Sequence, residues 1–449
     1  MILRLPAPAA PPDAPRFYFN DVRASAWLDT ERANLVATVG CAAESGPHDA
    51  AWRLADALRG YLYLRMYTVD WAAVAAAGLA AAETDGNPGA QAAAYLSLAL
   101  LHQVQGNHQQ AKDYCTSALA LARDAGWPAG ESAALGNLGN VLLALGRLPE
   151  AVDHYTWGLA IDRRTGWTAG KAAKLANLGI VEGALGQLRP AADHLTEALA
   201  LHRRDGARIG EARNLANLGE AYHRLGRVHE ALDVLFQALA LHRELGDHNT
   251  EGGTARILAA VLCDAGRLTE AFDHASAALA QAQERGDRYL ESEALATQAG
   301  THYCCGRFQQ AIDGHTRALG LALDIGNRHV ETRALIGLAE AMRETGSLAA
   351  AAGHAESALS NAAVAGYRML EGQALTALAA VRLRQRRPAR ALADAERALA
   401  RQAEMGDRIG QARTHLLAEQ IHRCLGNDGE VRAHQCHART LFTQIGIAC

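Results

Sequence analysis

A glycine that recurs every 40 residues constrains the fold of this chain more than any other feature. The series continues without a gap at positions 46, 86, 126, 166, 206, 246, 286, 326, 366, 406 and 446. A second series lies half a period away, at positions 106, 146, 186, 226, 266, 306, 346 and 426, and is interrupted at Arg386. Because glycine ends a helix in the left-handed conformation at little cost, two glycines per period predict two helices per repeat.

The repeat is clearest in the segment 211–250. Leu215 and Leu218 fall on one face at helical spacing, and Gly219 beside them lets another helix approach closely. The second helix carries the small residue Ala231 where two helices must cross. A single hairpin of this kind leaves apolar surface on both sides. It must therefore stack on neighbouring hairpins, as in a solenoid.

The length and composition agree with a helical array. A chain of 449 residues is long for one globular core, but in a repeat array each unit needs to contact only its neighbours. Aromatic residues make up only 5% of the chain and prolines number 11, which favours helix over a large β-sheet. We predict an all-α chain, an α-solenoid of about ten helix-turn-helix repeats.

Three segments are distinguished by their sequence. Residues 1–24 are predicted to be a proline-rich flexible lead, and residues 25–90 an N-terminal capping helix with a degenerate repeat. In that repeat Met66 and Trp71 stand where the turn glycine and the small alanine are expected. Residues 91–449 are predicted to hold nine tandem 40-residue repeats.

The charge and the cysteines exclude several classes of function. The net charge is −4, without the basic bias of nucleic-acid-binding proteins, so no direct nucleic-acid partner is expected. No segment is apolar enough to span a membrane and no signal peptide is evident, which indicates a cytoplasmic protein without a membrane partner. The eight cysteines show no CxxC or zinc-type spacing and are expected to be reduced.

The repeated pattern Leu-x-x-Leu-Gly-x-x-Tyr, followed by Leu-Gly, Ala and Ala-Leu, resembles the tetratricopeptide repeat (TPR). The ordinary repeat of that family has about 34 residues. The longer unit found here resembles the repeats of kinesin light chains and of the adaptors that bind GoLoco peptides. The resemblance implies a right-handed superhelix, with the first helix of each hairpin lining a concave groove for a peptide or partner protein.

A second resemblance concerns the N-terminal part. The segments AWLDTERANLVATV and AWRLADALRGYLYLR are similar to the start of the C-terminal TPR region of actinobacterial AfsR/SARP-type regulators. In those regulators the repeats follow a DNA-binding domain and a nucleotide-binding domain. Because no GxxxxGK[ST] loop is present, no nucleotide site is carried over. We expect either a stand-alone relative or the C-terminal part of a longer regulator.

Three asparagines occupy the same position in successive repeats, at Asn137, Asn177 and Asn217, and Asn140 lies close to the first. Asparagine is a poor residue for a helix interior, so its recurrence indicates a purpose. Its amide can donate and accept, which suits the backbone of an extended peptide, and the resemblance implies that use. The alternative is that these amides bond only within the helix stack. The lysines of a chaperone-type carboxylate clamp are absent.

Charged and polar residues follow on the expected groove side of later repeats. Mixed charge with an excess of arginine suits an acidic or polar peptide, whereas the alternative is an ordinary solvated face. The candidates are Arg213, Glu220, His223, Arg224, Arg256, Tyr303, Glu340 and Arg343.

Neither metal binding nor catalysis is expected. Aspartates recur on the second helices, but successive repeats are about 10 Å apart, too far to share a metal ion. His302 lies beside Cys304 and Cys305, and without a third orienting group it is interpreted as a packed residue. We therefore predict no enzyme, no metal and no cofactor.

The leading hypothesis is a protein-protein interaction scaffold or regulatory module that binds a peptide or partner domain in its groove. Two alternatives stay open. One is a ligand-sensing regulatory domain of an AfsR/SARP-type regulator, and the other is an enzyme whose active site lies in the groove. A homodimer through a terminal repeat is a further open alternative.

Overall fold

The computed structural model describes residues 21–446, which form twenty-one α-helices and, within that range, no β-strand. The chain divides into two compact units, at residues 1–178 and 179–449. The first unit holds α1 (Asp21–Ser45), α2 (His48–Arg65), α3 (Thr68–Thr84), α4 (Pro88–Val104), α5 (His108–Asp124), α6 (Pro128–Ala144), α7 (Leu148–Thr165) and the first part of α8 (Thr168–Ala184).

The second unit begins within α8. It holds α9 (Leu188–Arg204), α10 (Arg208–Arg224), α11 (Val228–Leu245), α12 (His248–Asp264), α13 (Leu268–Glu284), α14 (Arg288–Cys304), α15 (Phe308–Ile325), α16 (Arg328–Glu344), α17 (Leu348–Ala365), α18 (Arg368–Arg384), α19 (Pro388–Met405), α20 (Arg408–Leu425) and α21 (Asp428–Ile445).

Helices α2 to α21 pair into ten hairpins, so the predicted fold class is confirmed. Helix α1 begins at Asp21, four residues before the predicted capping helix, and packs on α2 and α3. Most of the predicted proline-rich lead, residues 1–20, lies outside the described residues. The aromatic residues of the first repeat form a core, in which Trp71 is fully buried and donates a 2.8 Å hydrogen bond from Nε1 to Ser97 Oγ.

The glycines that set the period have the predicted conformation. In both series they have φ between +58° and +85°. Met66 and Arg386 interrupt the pattern in the sequence, and they are the two non-glycine residues with positive φ among the described residues, at +56° and +60°. The turn geometry is therefore kept even where the favoured residue is missing.

Replacing Arg386 by glycine is expected to raise the free energy of unfolding by about 1 kcal/mol, because a left-handed conformation costs an L-residue about that much. Gly266→Ala makes the opposite change, from glycine to an L-residue at a φ of +75°. The added Cβ would meet no atom within 4 Å, so this variant tests the backbone conformation alone. It should lower stability by a similar amount. Urea denaturation followed by circular dichroism measures both changes, and equal midpoints for Arg386→Gly and the parent chain would contradict the expectation.

The first helix of each hairpin lies on the inner side of its unit. In the second unit successive first helices contact each other, from α10 with α12 through to α18 with α20. In the first unit α2 contacts α4, and α4 contacts α6. Successive second helices make few or no such contacts. The layer of first helices is thus the more closely packed one in each unit.

Small residues permit the close packing within hairpins. A Cβ added at Gly219 would lie 2.5 Å from Cγ of Leu235, and one at Gly139 would lie 2.4 Å from Cε1 of Tyr155. Ala231 is fully buried where the helices cross. The small positions of the repeat are therefore fixed by contact between the two helices.

The second unit also makes contacts between repeats that are far apart in sequence. A Cβ added at Gly226, in the turn after α10, would lie 2.8 Å from Cγ1 of Ile445, at the end of α21. Phe442 and Ile409 join one buried apolar cluster with Val228. The last hairpin, α20 and α21, therefore packs on the hairpin formed by α10 and α11.

Candidate functional site

A stripe of polar residues follows the inner side of the first helices in the second unit. On α10 the residues Arg213, Asn217, Glu220 and Arg224 are spaced by three or four, which places them on one side of the helix. The corresponding sides of α12, α14, α16 and α20 continue the stripe. We call the following set the inward charged face: Glu220, His223, Arg224, Arg256, Asp264, Glu293, Tyr303, Arg333, Glu340, Arg343, Glu344 and Arg413.

Glu293 on α14 is the centre of this face. Its carboxylate lies 3.2 Å from Nε of Arg256 and 3.3 Å from Nη1 of Arg333, so it links α12 to α16. Its side chain is only 8% exposed. Burial would raise the pKa of Glu293, but Arg256, His329 and Arg333 outweigh burial and lower it. Glu293 is therefore ionised, and it holds two guanidinium groups in fixed positions.

A second ion pair lies on α10. Glu220 accepts a hydrogen bond from Nη2 of Arg224, one turn later on the same helix. Burial acts against the ionised form, yet Arg224 and Arg256 lower the pKa of Glu220 to about 2. The predicted candidates Glu220, Arg224 and Arg256 thus belong to one electrostatic network.

Asp264 connects the last hairpin to the earlier repeats. It accepts a hydrogen bond from Nη2 of Arg413 on α20, 149 residues away, and lies 2.7 Å from Nε2 of His223 on α10. Burial opposes ionisation of Asp264, but Arg413 and His223 lower its pKa. The side chain of Arg413 is 57% exposed, so this closing ion pair is open to a competing anion.

Tyr303 and Arg343 are brought together as neighbours on α14 and α16. Nη2 of Arg343 donates to the Tyr303 hydroxyl at 3.1 Å and also bonds to Glu344. Burial raises the pKa of Tyr303 to about 12, so its hydroxyl stays protonated. Glu340 nearby has a raised pKa because burial outweighs the effect of Arg413 and Arg343.

The face is close to neutral. It carries five arginines and the five carboxylates of Glu220, Asp264, Glu293, Glu340 and Glu344. The carboxylates of Glu293, Asp264 and Glu344 balance the arginines of this face. Arg213 lies apart from this network, 53% exposed and 3.8 Å from Asp247.

The asparagines divide between the units. In the first unit Asn177 Nδ2 donates to Asn140 Oδ1 at 3.0 Å, and the hydroxyl of Tyr155 donates to the same oxygen at 2.7 Å. Asn137 is half-buried on α6. Asn217 lies in the second unit, half-buried on α10. Part of the amide capacity of Asn140 and Asn177 is therefore used inside the helix stack.

A buried ion pair in the first unit was not anticipated from the sequence. Lys174 Nζ lies 3.0 Å from Asp162 Oδ2, and the two side chains are 5% and 0% exposed. Asp162 also accepts from the hydroxyl of Ser132. A Cβ at Gly158 would lie 2.4 Å from Cε of Lys174, which explains why this repeat has glycine where others have alanine. Burial lowers the pKa of Lys174 although Asp162 opposes the shift.

A buried histidine makes the second unit sensitive to acid. His315 is 5% exposed, and its Nε2 would lie 2.1 Å from a Cβ at Gly337. Its Nδ1 has no hydrogen-bond partner within residues 21–446. Burial, followed by the charge of Arg333, lowers the pKa of His315 to about 3. The imidazole is thus buried in its neutral form.

We expect the pH dependence of stability to follow from this shift. The folded state binds fewer protons than the unfolded state below the ordinary histidine pKa, so stability falls as the pH falls towards 3. Between about pH 7.5 and 5.0 this single group should cost about 2 kcal/mol. Urea denaturation at a series of pH values should show that loss in the parent chain and a correspondingly smaller one in His315→Leu. Parallel curves for the two chains would rule out His315 as the source.

Several residues of the inward charged face were missed by the sequence reasoning, although a signal was present. Glu293, Arg333 and Arg413 stand at the same position of the 40-residue period as the candidate Arg213. Asp264 and Glu344 share the position of Arg224. Comparing charges at equal positions in the repeat would have predicted these members, but not which of them form pairs.

The fold and the inward charged face define a helical repeat protein with a polar face along the first helices of its second unit. The sequence model of the tetratricopeptide repeat family matches residues 90–164 and 170–244, so the chain carries tetratricopeptide repeats. A comparison with curated protein sequences gave no significant match. No helix in the described part of the chain combines the length and apolar character needed to cross a membrane.

Several solved structures are similar to this fold. A Rap protein complexed with competence and sporulation factor is 14% identical, with a TM-score of 0.62 over 79% of this chain and 98% of that one. The Rap conjugation gene regulator of plasmid pLS20, in complex with a Phr peptide, is also 14% identical, with a TM-score of 0.54 over 74% and 95% of the two chains. The apo form of RapI is 12% identical, with a TM-score of 0.51 over 62% and 99%.

Proposed function

We propose that this protein is a non-enzymatic regulatory module that binds a peptide on the inward charged face of its second unit. The observation that carries the proposal is the continuous row of ion pairs from α10 to α16 and α20, centred on Glu293. The two similar Rap structures that contain a peptide or a factor support it by analogy of fold. The setting is cytoplasmic, and the module needs no cofactor.

The proposed ligand is a polar peptide with at least one carboxylate. Arg256 and Arg333 are already positioned by Glu293, so binding a second anion would cost little side-chain entropy. The guanidinium group offers five donors, more than the ion pairs within the face require. The half-buried amide of Asn217 on α10 would contact the peptide main chain.

Binding would be coupled to the last hairpin. A peptide carboxylate that pairs with Arg413 competes directly with Asp264, which now holds α20 against α12. His223 also bonds to Asp264. The Asp264 carboxylate would therefore keep one partner after its ion pair with Arg413 is broken. The ligand would thus favour a state in which the last hairpin is released, and the hairpin would carry the signal to a partner protein.

A peptide display library of random sequence tests the proposal on the full chain. We expect enrichment of acidic peptides, with a dissociation constant measured on a synthetic peptide by fluorescence anisotropy. Arg256→Ala or Arg343→Ala should weaken binding by about 10- to 100-fold, the worth of one hydrogen bond to a charged group. Asn217→Ala tests the main-chain contact on the same peptide.

The matched control is Arg267→Ala. Arg267, the residue before the outer helix α13, pairs with Glu270 at 2.6 Å and is 41% exposed, so its loss should leave peptide binding unchanged. Circular dichroism of each variant separates loss of binding from loss of fold. No enriched peptide, or equal affinity for the parent chain and both inward variants, would refute the proposal.

A further inference from the structure

The last hairpin contains a cluster of histidines that the peptide-binding face does not use. One ligand atom each from His422 on α20 and from Glu430 and His434 on α21 lie within 4.8 Å of one another. His422 is buried, His434 is half-buried and Glu430 is exposed. The group therefore combines a fixed interior ligand with one that can move in from solvent.

Two further histidines surround this group. Nδ1 of His415 lies 2.8 Å from Nδ1 of His434, and the His437 ring stacks on His415 at 5.1 Å between centroids. The rings of His422 and His434 are themselves stacked at 5.2 Å. Spacings of seven residues on α20 and three on α21 bring all four imidazoles to the contact between the two helices. Four imidazoles at one helix contact are more than packing alone requires.

The protonation chemistry suits metal ligation. A metal-binding imidazole must be neutral and commonly has its other nitrogen held by a hydrogen bond. Nδ1 of His434 has such a partner in Nδ1 of His415, at 2.8 Å. When His434 donates this hydrogen bond, its proton is on Nδ1 and its Nε2 keeps the lone pair that a metal ion needs. His415 would thus orient His434 as a ligand.

We propose that His422, His434 and Glu430 form a site for a divalent transition-metal ion, with zinc as the best match. Two imidazoles and one carboxylate are a known zinc ligand set, at about 2.0–2.2 Å from the metal. Such bond lengths require ligand atoms no more than about 4.4 Å apart, so a small rotation of the exposed Glu430 side chain completes the site. The fourth position is left for water or for His437.

The site would act on the hairpin that closes the second unit. The metal ion would cross-link α20 to α21. Arg413 on α20 and Ile445 on α21 are among the residues that contact the earlier repeats. Metal binding should therefore make the last hairpin more rigid. It does not require that any peptide binds to the inward charged face.

Isothermal titration of the metal-free full chain with Zn²⁺ tests this site. We expect one zinc ion per chain and a rise in Tm on binding. His422→Ala or His434→Ala should weaken binding by more than about 100-fold, since even loss of an outer-shell partner costs about 10- to 100-fold. Glu430→Gln, at an exposed position that the fold does not need, should weaken it by at least about 10-fold.

Two controls distinguish this site from other zinc-binding groups. His354→Ala removes a half-buried histidine on α17 and should leave affinity unchanged. Cys424→Ser with Cys436→Ser removes the exposed thiols of the same hairpin and should also leave it unchanged. With Co²⁺ as the probe, the visible spectrum should lack a thiolate charge-transfer band. The proposal would be overturned if Glu430→Gln and one folded histidine variant, His422→Ala or His434→Ala, both bound zinc as tightly as the parent chain.

Discussion

Removal of the Asp162 carboxylate, in Asp162→Ala, is expected to lower the free energy of unfolding by about 3–5 kcal/mol. The substitution leaves the ammonium group of Lys174 buried at 5% exposure without its counter-ion. The remaining neighbours cannot replace that charge. Trp167 offers only the face of its ring, at 5.3 Å, and Gly158 offers backbone. Urea denaturation followed by far-ultraviolet circular dichroism measures the loss.

The double variant Asp162→Leu with Lys174→Met is the control for this prediction. An apolar pair of similar volume needs no desolvation of charge, so its stability should return to within about 1 kcal/mol of the parent chain. Ser132 retains a partner, since its hydroxyl also bonds to the carbonyl oxygen of Gly158 at 3.2 Å. If the double variant were as unstable as Asp162→Ala, lost packing rather than the unpaired charge would be responsible.

Truncation of Glu293 is expected to have two opposite effects. In Glu293→Ala the arginines at 256 and 333 lose their shared counter-ion, and stability should fall by about 2–4 kcal/mol. Both guanidinium groups are partly exposed, at 21% and 25%, which keeps this loss below that of a fully buried pair. The affinity for an acidic peptide should rise by about 10-fold, because the peptide no longer competes with the Glu293 carboxylate for the two arginines.

Both effects are measured on one protein preparation. Denaturation by urea gives the change in stability, and fluorescence anisotropy with an acidic peptide gives the change in affinity. Glu270→Ala removes the exposed partner of Arg267 and should change stability by less than about 0.5 kcal/mol. A loss of stability without a gain in affinity would show that Glu293 is structural, while the peptide binds elsewhere.

The fold could be predicted from the sequence because the same local sequence pattern recurs in each repeat. Turn glycines, small residues at helix crossings and apolar residues at helical spacing all agree, and errors in one repeat are corrected by the others. Even Met66 and Arg386, which break the glycine series, were correctly located at turns by the period alone. Contacts between repeats that are far apart in the sequence leave no periodic signal, so they could not be predicted.

The candidate site could be predicted only in part, for the same reason. The period places Glu220, Arg224 and Arg256 on the inner side, but pairing depends on the distance between side chains of different helices. Glu293 was not singled out although it binds two arginines, and the link between Asp264 and Arg413 spans 149 residues. Asp247 precedes α12, but its carboxylate accepts from the Thr250 hydroxyl at 2.5 Å and from no backbone N–H at the start of that helix.

The contact between the last hairpin and the α10–α11 hairpin changes how the second unit should unfold. In an open array each repeat depends only on its neighbours, so the terminal repeats fray first and the array loses structure stepwise. Here Ile445 and Arg413 give the terminal hairpin a second set of contacts, with residues near Gly226 and Asp264. The amide protons of α20 and α21 are then protected by the stability of the whole unit, and its repeats melt together as one cooperative domain rather than from an end.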